Sequence, residues 1–284
     1  MKGEEQKVIS LFTLHYSLNM IEFREVTFAY ASAQPVFDRF NWSIGRGEAW
    51  AVIGGSGNGK TTLLMLLAGL RVPTSGEIVV EDQVIDRPRP RTGLVLQEYG
   101  LLPWATIKQN VALGLRVRNF YGPDGRHTPV EHVVGPIEAL VEKWLKRLGI
   151  EAMRDRFPAQ CSGGQRQRAA IARTLVLEPD VLLMDEPFAA LDAPTREDLQ
   201  NLTVELQREQ NLTLVFVTHN LEDAVFLGRK ILVLGQPPHT APVVIENPQA
   251  GALAYRSESA FFEMCARVRE SLTHYALIAV AAHA

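Results

Sequence analysis

An α/β fold organised around a mostly parallel sheet is predicted by two observations. Near-continuous apolar runs recur at Ala49–Ile53, Val181–Met184, Leu212–Thr218 and Lys230–Leu234. Strands buried on both faces have this composition. Helical patterns lie between them, the alternation expected of an α/β core. Ile137, Leu140, Val141, Trp144, Leu145 and Leu148 repeat at i, i+3, i+4, i+7, i+8 and i+11, which makes one apolar helix face. Leu199, Leu202 and Leu206 mark another helix.

The remaining stretches follow from the same periodicities. Ile21–Phe28 alternates apolar and polar residues, and Glu77–Val80 and Thr92–Leu96 are also strand-like. Residues 98–176 are mostly helical and read as a separate lobe. Within it, Arg116–Pro136 is rich in Gly, Pro and His and is expected to be an irregular insertion. Its His127 and His132 read as solvated loop residues. Residues 1–19 carry no clear element and read as an N-terminal extension, with Met20 a possible alternative start. The main domain is expected over 20–235. A C-terminal tail follows over 236–284, with a short helix around Ser259–Leu272.

Composition narrows the function. With 284 residues, 46% of them hydrophobic, the chain can bury one large domain or a core with a lobe. A net charge of −3 gives no basic stripe for nucleic acid, so an anionic ligand must be held by a local site. Cys161 and Cys265 are far apart and in no metal or redox spacing, which fits free thiols in a reducing compartment. No secretory signal is read near Met1. No apolar run approaches the ~20 residues of a membrane helix. Service to a membrane would need a partner.

Two motifs carry the chemistry. The run Ala49–Ile53 leads straight into Gly54, Gly55, Ser56, Gly57, Asn58, Gly59, Lys60, Thr61 and Thr62, matching G-x-x-x-x-G-K-[ST] of P-loop nucleotide triphosphatases. A triphosphate needs backbone N–H groups wrapped closely around it, hence glycines without Cβ and with positive φ. The helix from Lys60 points its N-terminal partial charge at the phosphates. Lys60 is expected on the β and γ phosphates, and Thr61 on Mg²⁺. The second motif is the apolar strand Val181–Met184 ending in Asp185 and Glu186. Asp185 is the expected second Mg²⁺ contact, and Glu186 the base that takes a proton from attacking water.

Upstream of that strand, Cys161-Ser162-Gly163-Gly164-Gln165-Arg166-Gln167-Arg168 resembles the LSGGQ signature of ABC ATPases, at the family's distance before the acidic strand. A Ser-Gly-Gly turn opening a helix offers a hydroxyl and free N–H groups to an anion. The resemblance extends over about 20–235 and implies a RecA-like sheet with an antiparallel β subdomain and an inserted α-helical subdomain. It implies that Ser162, Gly163, Gly164 and Gln165 bind the γ-phosphate of ATP held by a second copy, so that two copies sandwich two nucleotides. Tyr30 matches the aromatic stacked on adenine. Gln97 matches the glutamine that senses Mg²⁺ and water at the hinge to the helical lobe. Asp192, in Ala189-Ala190-Leu191-Asp192, matches a loop crossing the dimer interface, and His219 matches the switch histidine on the γ-phosphate. Two residues depart from the pattern: Cys161 stands where Leu is usual, and Asn220 where Asp usually follows the histidine.

Leu101-Leu102-Pro103-Trp104, with Asn110-Val111-Ala112-Leu113 after it, is similar to the importer branch that handles nitrate, sulfonates and taurine. That resemblance implies an ATPase at the cytoplasmic face of the membrane, docked on an integral-membrane permease and served indirectly by a solute-binding protein. Competing readings are an exporter ATPase, a soluble ABC ATPase acting on nucleic acid or ribosomes, and a GTPase. The soluble ABC ATPases usually carry two cassettes or a long coiled-coil insertion, which this chain lacks. No N-K-x-D guanine-reading motif is present. The tail is too short for the regulatory β-domain of sugar-importer ATPases.

Overall fold

A computed structural model describes residues 19–31, 34–121 and 136–281. In chain order the elements are β1 (Asn19–Phe28), β2 (Phe37–Gly45), β3 (Ala49–Gly54), α1 (Lys60–Leu67), β4 (Ser75–Val80), β5 (Gln83–Val84) and β6 (Thr92–Val95). Then come α2 (Ile107–Tyr121), α3 (Ile137–Arg147), α4 (Gly163–Leu175), β7 (Val181–Asp185), α5 (Ala193–Glu209), β8 (Thr213–Thr218), α6 (Leu221–Leu227), β9 (Lys230–Leu234), β10 (Val243–Glu246) and α7 (Ser259–Ala281).

The larger sheet has the order β10-β9-β3-β8-β7-β6. Its five inner-to-edge strands from β9 to β6 run parallel, and β10 closes one side antiparallel to β9. Every residue of β3, β7 and β8 is buried, as strands covered on both faces must be. Because these strands are parallel, the loops leaving β3, β6, β7 and β8 emerge at one edge, where open α/β sheets bind ligands.

The smaller sheet, β2-β1-β4-β5, is antiparallel. A core of Phe23, Phe40, Trp42 and Ile78 joins Trp50, Val52 and Leu63 of the large sheet and α1. Trp42 and Trp50 meet edge to face with centroids 5.1 Å apart, a favoured aromatic arrangement. On the opposite face of the large sheet, one core runs from Ala51, Leu214 and Phe216 through α5 and α6. It continues into the helical region through Val111, Leu115, Val141, Leu145 and Ala169.

The periodicity misses β2, β5 and β10. β2 alternates in burial from Phe40 to Ile44, but Arg39 at φ 47° makes an irregularity that breaks the period. β5 is two exposed residues, and β10 is a four-residue edge strand with only Ile245 buried. The first part of the irregular stretch expected from Arg116 is helical: α2 continues through Tyr121, with no Gly or Pro between Arg116 and that point. Residues 122–135, with His127 and His132, lie outside the described residues, as does 1–18 of the expected extension.

The stretch 236–284 is more than a short helical tail. It supplies β10, its helix reaches Ala281, and Tyr255, Phe261 and Val268 enter the main core. Asn247 is fully buried. Its amide donates to the carbonyls of Val225 at 2.7 Å and Gly228 at 2.9 Å, and its oxygen accepts from the Tyr255 hydroxyl at 2.9 Å. Replacing it would leave the Val225 and Gly228 carbonyls without this donor, at ~1–3 kcal/mol each before relaxation, and the Tyr255 hydroxyl with only the Ala260 carbonyl at 3.5 Å. Asn247→Ala is therefore expected to lower the thermal midpoint by about 5–10 °C, measured by calorimetry. An unchanged midpoint would mean that this segment does not hold the core.

Candidate functional site

The loop after β3 is shaped by close contact. A Cβ at Gly54 would stand 2.5 Å from the Leu234 carbonyl oxygen on β9, which only glycine avoids. Gly57 and Gly59 have φ of 80° and 86°, the left-handed region that glycine adopts without strain. α1 starts at Lys60 with no side-chain cap, so its first-turn N–H groups are free to meet an anion. The Lys60 ammonium folds over the loop and donates to the carbonyls of Gly54 at 2.9 Å and Gly55 at 2.8 Å. Burial pushes its pKa down, while the carboxylates of Glu186 and Asp185 oppose that shift. The ammonium therefore feels the charge of the two acids while its hydrogen bonds go to the loop carbonyls.

Asp185 closes β7 and is buried, which raises its pKa. The neighbouring Glu186 raises it further, and Thr61 and Lys60 pull it down. Its Oδ2 lies 3.5 Å from Thr61 Oγ1. A hydroxyl and a carboxylate beside the loop are hard oxygen donors, the type that Mg²⁺ takes. Glu186 follows in a positive-φ conformation, 45°, which costs of order 1 kcal/mol in a non-glycine residue and concentrates at functional sites. The carboxylate meets His219 Nδ1 at 2.9 Å and accepts from the His219 backbone N–H at 3.4 Å. The ends of β7 and β8 thus hold acid and imidazole as a pair beside the loop. Gln97, after β6, lines a pocket of about 500 Å³ with Glu186, Tyr99, Arg166 and Leu191, so the structure brings it to the same acid.

Tyr30 sits at the rim. Its hydroxyl is 3.0 Å from Thr62 Oγ1, its ring is half exposed, and the Arg71 guanidinium lies 5.7 Å from the ring centroid. Thus Gly54 to Thr62, Asp185, Glu186, Gln97, His219 and Tyr30 gather at one edge.

Ser162, Gly163, Gly164 and Gln165 do not join them. Ser162 caps α4, accepting from Gln165 N–H at 3.3 Å while Gln165 Oε1 accepts from Ser162 N–H at 2.9 Å, a reciprocal capping box. A Cβ at Gly164 would be 2.4 Å from Thr195 Cγ2, so glycine is required for α4 to pack on α5. Asp192 caps α5 by accepting from Thr195 N–H at 2.9 Å, and hydrogen bonding from the Thr195 side chain first, then from that N–H, lowers its pKa. Among the described residues no hydrogen bond links 162–165 or Asp192 to the loop at 54–62. The two departures have structural accounts. Cys161 faces inward, buried, with burial pushing its thiol pKa up, so it serves as a small core residue. Asn220 caps α6, accepting from the N–H groups of Glu222 at 2.8 Å and Asp223 at 3.1 Å, a task that Asn performs as well as Asp.

Residues 37–189 match the family described as ABC transporter. The chain belongs to the ABC transporter family. It is an ATPase component of that family, and its nucleotide is ATP. It is 34% identical to the aliphatic sulfonates import ATP-binding protein SsuB of Bacillus cereus, over 86% of this chain and 90% of that one. Among solved structures it is similar to cbiO1 of Clostridium perfringens, part of the cbiONQ complex, with 30% identity and TM-score 0.67 over 81% of this chain and 89% of that one. It is also similar to the ATP-binding cassette MJ0796, a dimer bound to ADP and Pi, with 29% identity and TM-score 0.66 over 80% and 98%.

Sequence reasoning misses Asp223, an ordinary-looking acid in α6. It is buried, its pKa is pushed up to about 6 by burial against the pull of Arg196, and Gln200 Nε2 donates to it at 2.7 Å. Gln200 in turn accepts from Arg256, so α5, α6 and the C-terminal segment share one network. No motif marks it; only the fold buries it. With a folded pKa above the unfolded value, Asp223 favours the native state most at low pH. That contribution fades as pH rises through about 6. Asp223→Asn is expected to gain up to ~2 kcal/mol over wild type near pH 8 and nothing near pH 4, read by chemical denaturation across pH. A pH-independent difference would contradict a protonation origin.

Proposed function

We propose that this chain is the ATP-hydrolysing subunit of an importer for a small solute, a sulfonate or related anion being the best-supported class. Two copies work beneath integral-membrane permease subunits at the cytoplasmic face, and a solute-binding protein delivers the cargo. The solute class rests on similarity to the sulfonate import protein and on Leu101-Leu102-Pro103-Trp104, where Trp104 is 74% exposed. An exposed tryptophan beside half-buried leucines suits a docking helix. Among the described residues no helix is long and apolar enough to cross a membrane, which fits peripheral attachment.

The observation that carries the catalytic reading is the Glu186–His219 pair standing beside Lys60 and Asp185. In this reading the N–H groups of Gly55 to Thr62 and the Lys60 ammonium bind the phosphates, and Tyr30 stacks on the base. Thr61, Asp185 and Gln97 would hold Mg²⁺, which would neutralise phosphate charge. Glu186 takes the proton of the attacking water, a contribution of ~10²–10⁴-fold. His219 orients that carboxylate and reaches the γ-phosphate. Ser162, Gly163, Gly164, Gln165 and Asp192 act on the nucleotide of the second copy, which accounts for their separation from the loop in one chain. ATP favours the closed pair because it binds that state better than the open one.

Three outcomes are expected. Lys60→Ala should abolish ATP binding by calorimetry; wild-type affinity would remove the phosphate role. Glu186→Gln should bind ATP, hydrolyse it ~10²-fold or more slowly, and accumulate as an ATP-bound dimer in gel filtration. Wild-type turnover would exclude it as base. Trp104→Ala should lose permease in co-purification while its ATPase rate without permease stays within about twofold of wild type. Undiminished co-purification would place the permease elsewhere.

A further inference from the structure

The stretch between β9 and β10 returns beneath the phosphate-binding loop. His239 is 7% exposed, and its Nε2 donates to the backbone carbonyl of Asn58 at 2.9 Å. The histidine is itself fixed. Its N–H donates to the Val36 carbonyl at 2.9 Å, its carbonyl accepts from Asp38 N–H at 2.9 Å, and its ring lies 5.3 Å from that of Phe37. Asn58 has a second anchor, its amide donating to the Leu234 carbonyl at 2.9 Å. Gly59 is hemmed in by the segment before β2 and by the histidine: a Cβ there would lie 2.6 Å from Val36 Cγ1 and 3.8 Å from His239 Nε2.

We propose that His239 is a positioning residue for nucleotide binding, setting the orientation of the Asn58–Gly59 peptide. A trans peptide is planar and its C=O and N–H point in opposite directions. Drawing the Asn58 carbonyl toward His239 therefore turns the Gly59 N–H to the other side of the loop, away from the protein interior. That N–H then belongs to the row of donors that wraps a phosphate. The inference rests on the reading of Gly54–Thr62 as the ATP phosphate site. It gives a role in that site to a residue from the C-terminal segment, 180 residues after the Gly59 peptide that it orients.

The experiment compares His239→Phe, which keeps a ring against Phe37 but removes the donor, with His239→Gln, whose side-chain amide can restore it. His239→Leu serves as a second donor-free variant. Calorimetry with Mg-ADP is expected to show about tenfold weaker binding for Phe and Leu, and binding within about threefold of wild type for Gln. Turnover of the donor-free variants at saturating ATP should stay within about threefold of wild type, so the loss falls on KM. Hydrogen exchange of the nucleotide-free protein should speed up about tenfold at the Asn58 amide, whose N–H is bonded within the loop to the Gly55 carbonyl at 3.4 Å, in the donor-free variants and not in Gln. Equal affinity and exchange in all variants, or equal losses in Gln and Phe, would overturn the role. If wild type itself fails to bind nucleotide, the ATP reading falls, and the exchange comparison still decides whether His239 sets the loop.

Discussion

Everything at the site depends on one steric constraint: the end of β3 passes so close to β9 that Gly54 has no room for a Cβ. β3 lies inside the sheet, paired on both sides in parallel, so its position is fixed by two ladders and by cores on both faces. The loop that leaves it inherits that rigidity. Its glycines let the backbone turn tightly enough to present N–H groups rather than side chains. A phosphate site made of main chain loses little by waiting for its ligand, because its donors are already oriented.

The charges around that loop are arranged to be incomplete. Lys60 faces Asp185 and Glu186, and burial disfavours the charged forms of Lys60 and Asp185. An anion with its cation entering between them would separate these groups and satisfy both. The other half of the chemistry sits apart, on the N-terminus of α4 and at Asp192, where side chains are held by their own caps rather than by the loop. Rigid halves that do not touch within one chain are what a site completed by a second copy requires.

The parallel strands and the site residues are legible in the sequence for a shared reason. Strands such as Val181–Asp185 are buried on both faces and so are apolar throughout, and the phosphate loop needs glycine at fixed positions. Both constraints leave direct marks on composition. Edge elements leave weak marks: β10 has a single buried residue, and β5 has none. The C-terminal segment reads as a tail because Asn247, His239 and Arg256 are polar. Their importance comes from burial and from hydrogen bonds to elements distant in sequence, which no local pattern encodes. Asp223 is invisible for the same reason. The signature turn is legible as a motif, but only coordinates show that its serine and glutamine are occupied in capping each other.

The central claim is that the phosphate loop of one copy meets the signature turn of another. It is tested most directly by placing cysteines at Ser56 and Gly163 in a chain whose Cys161 and Cys265 have been replaced. Gly163 accepts a Cβ at ordinary contact distances, the nearest neighbours being 3.5 Å away. With a slowly hydrolysed ATP analogue and mild oxidation, the account predicts a disulfide-linked dimer joined Ser56→Cys to Gly163→Cys, and little of it without nucleotide. A cross-link within single chains, or a dimer yield indifferent to nucleotide, would contradict it.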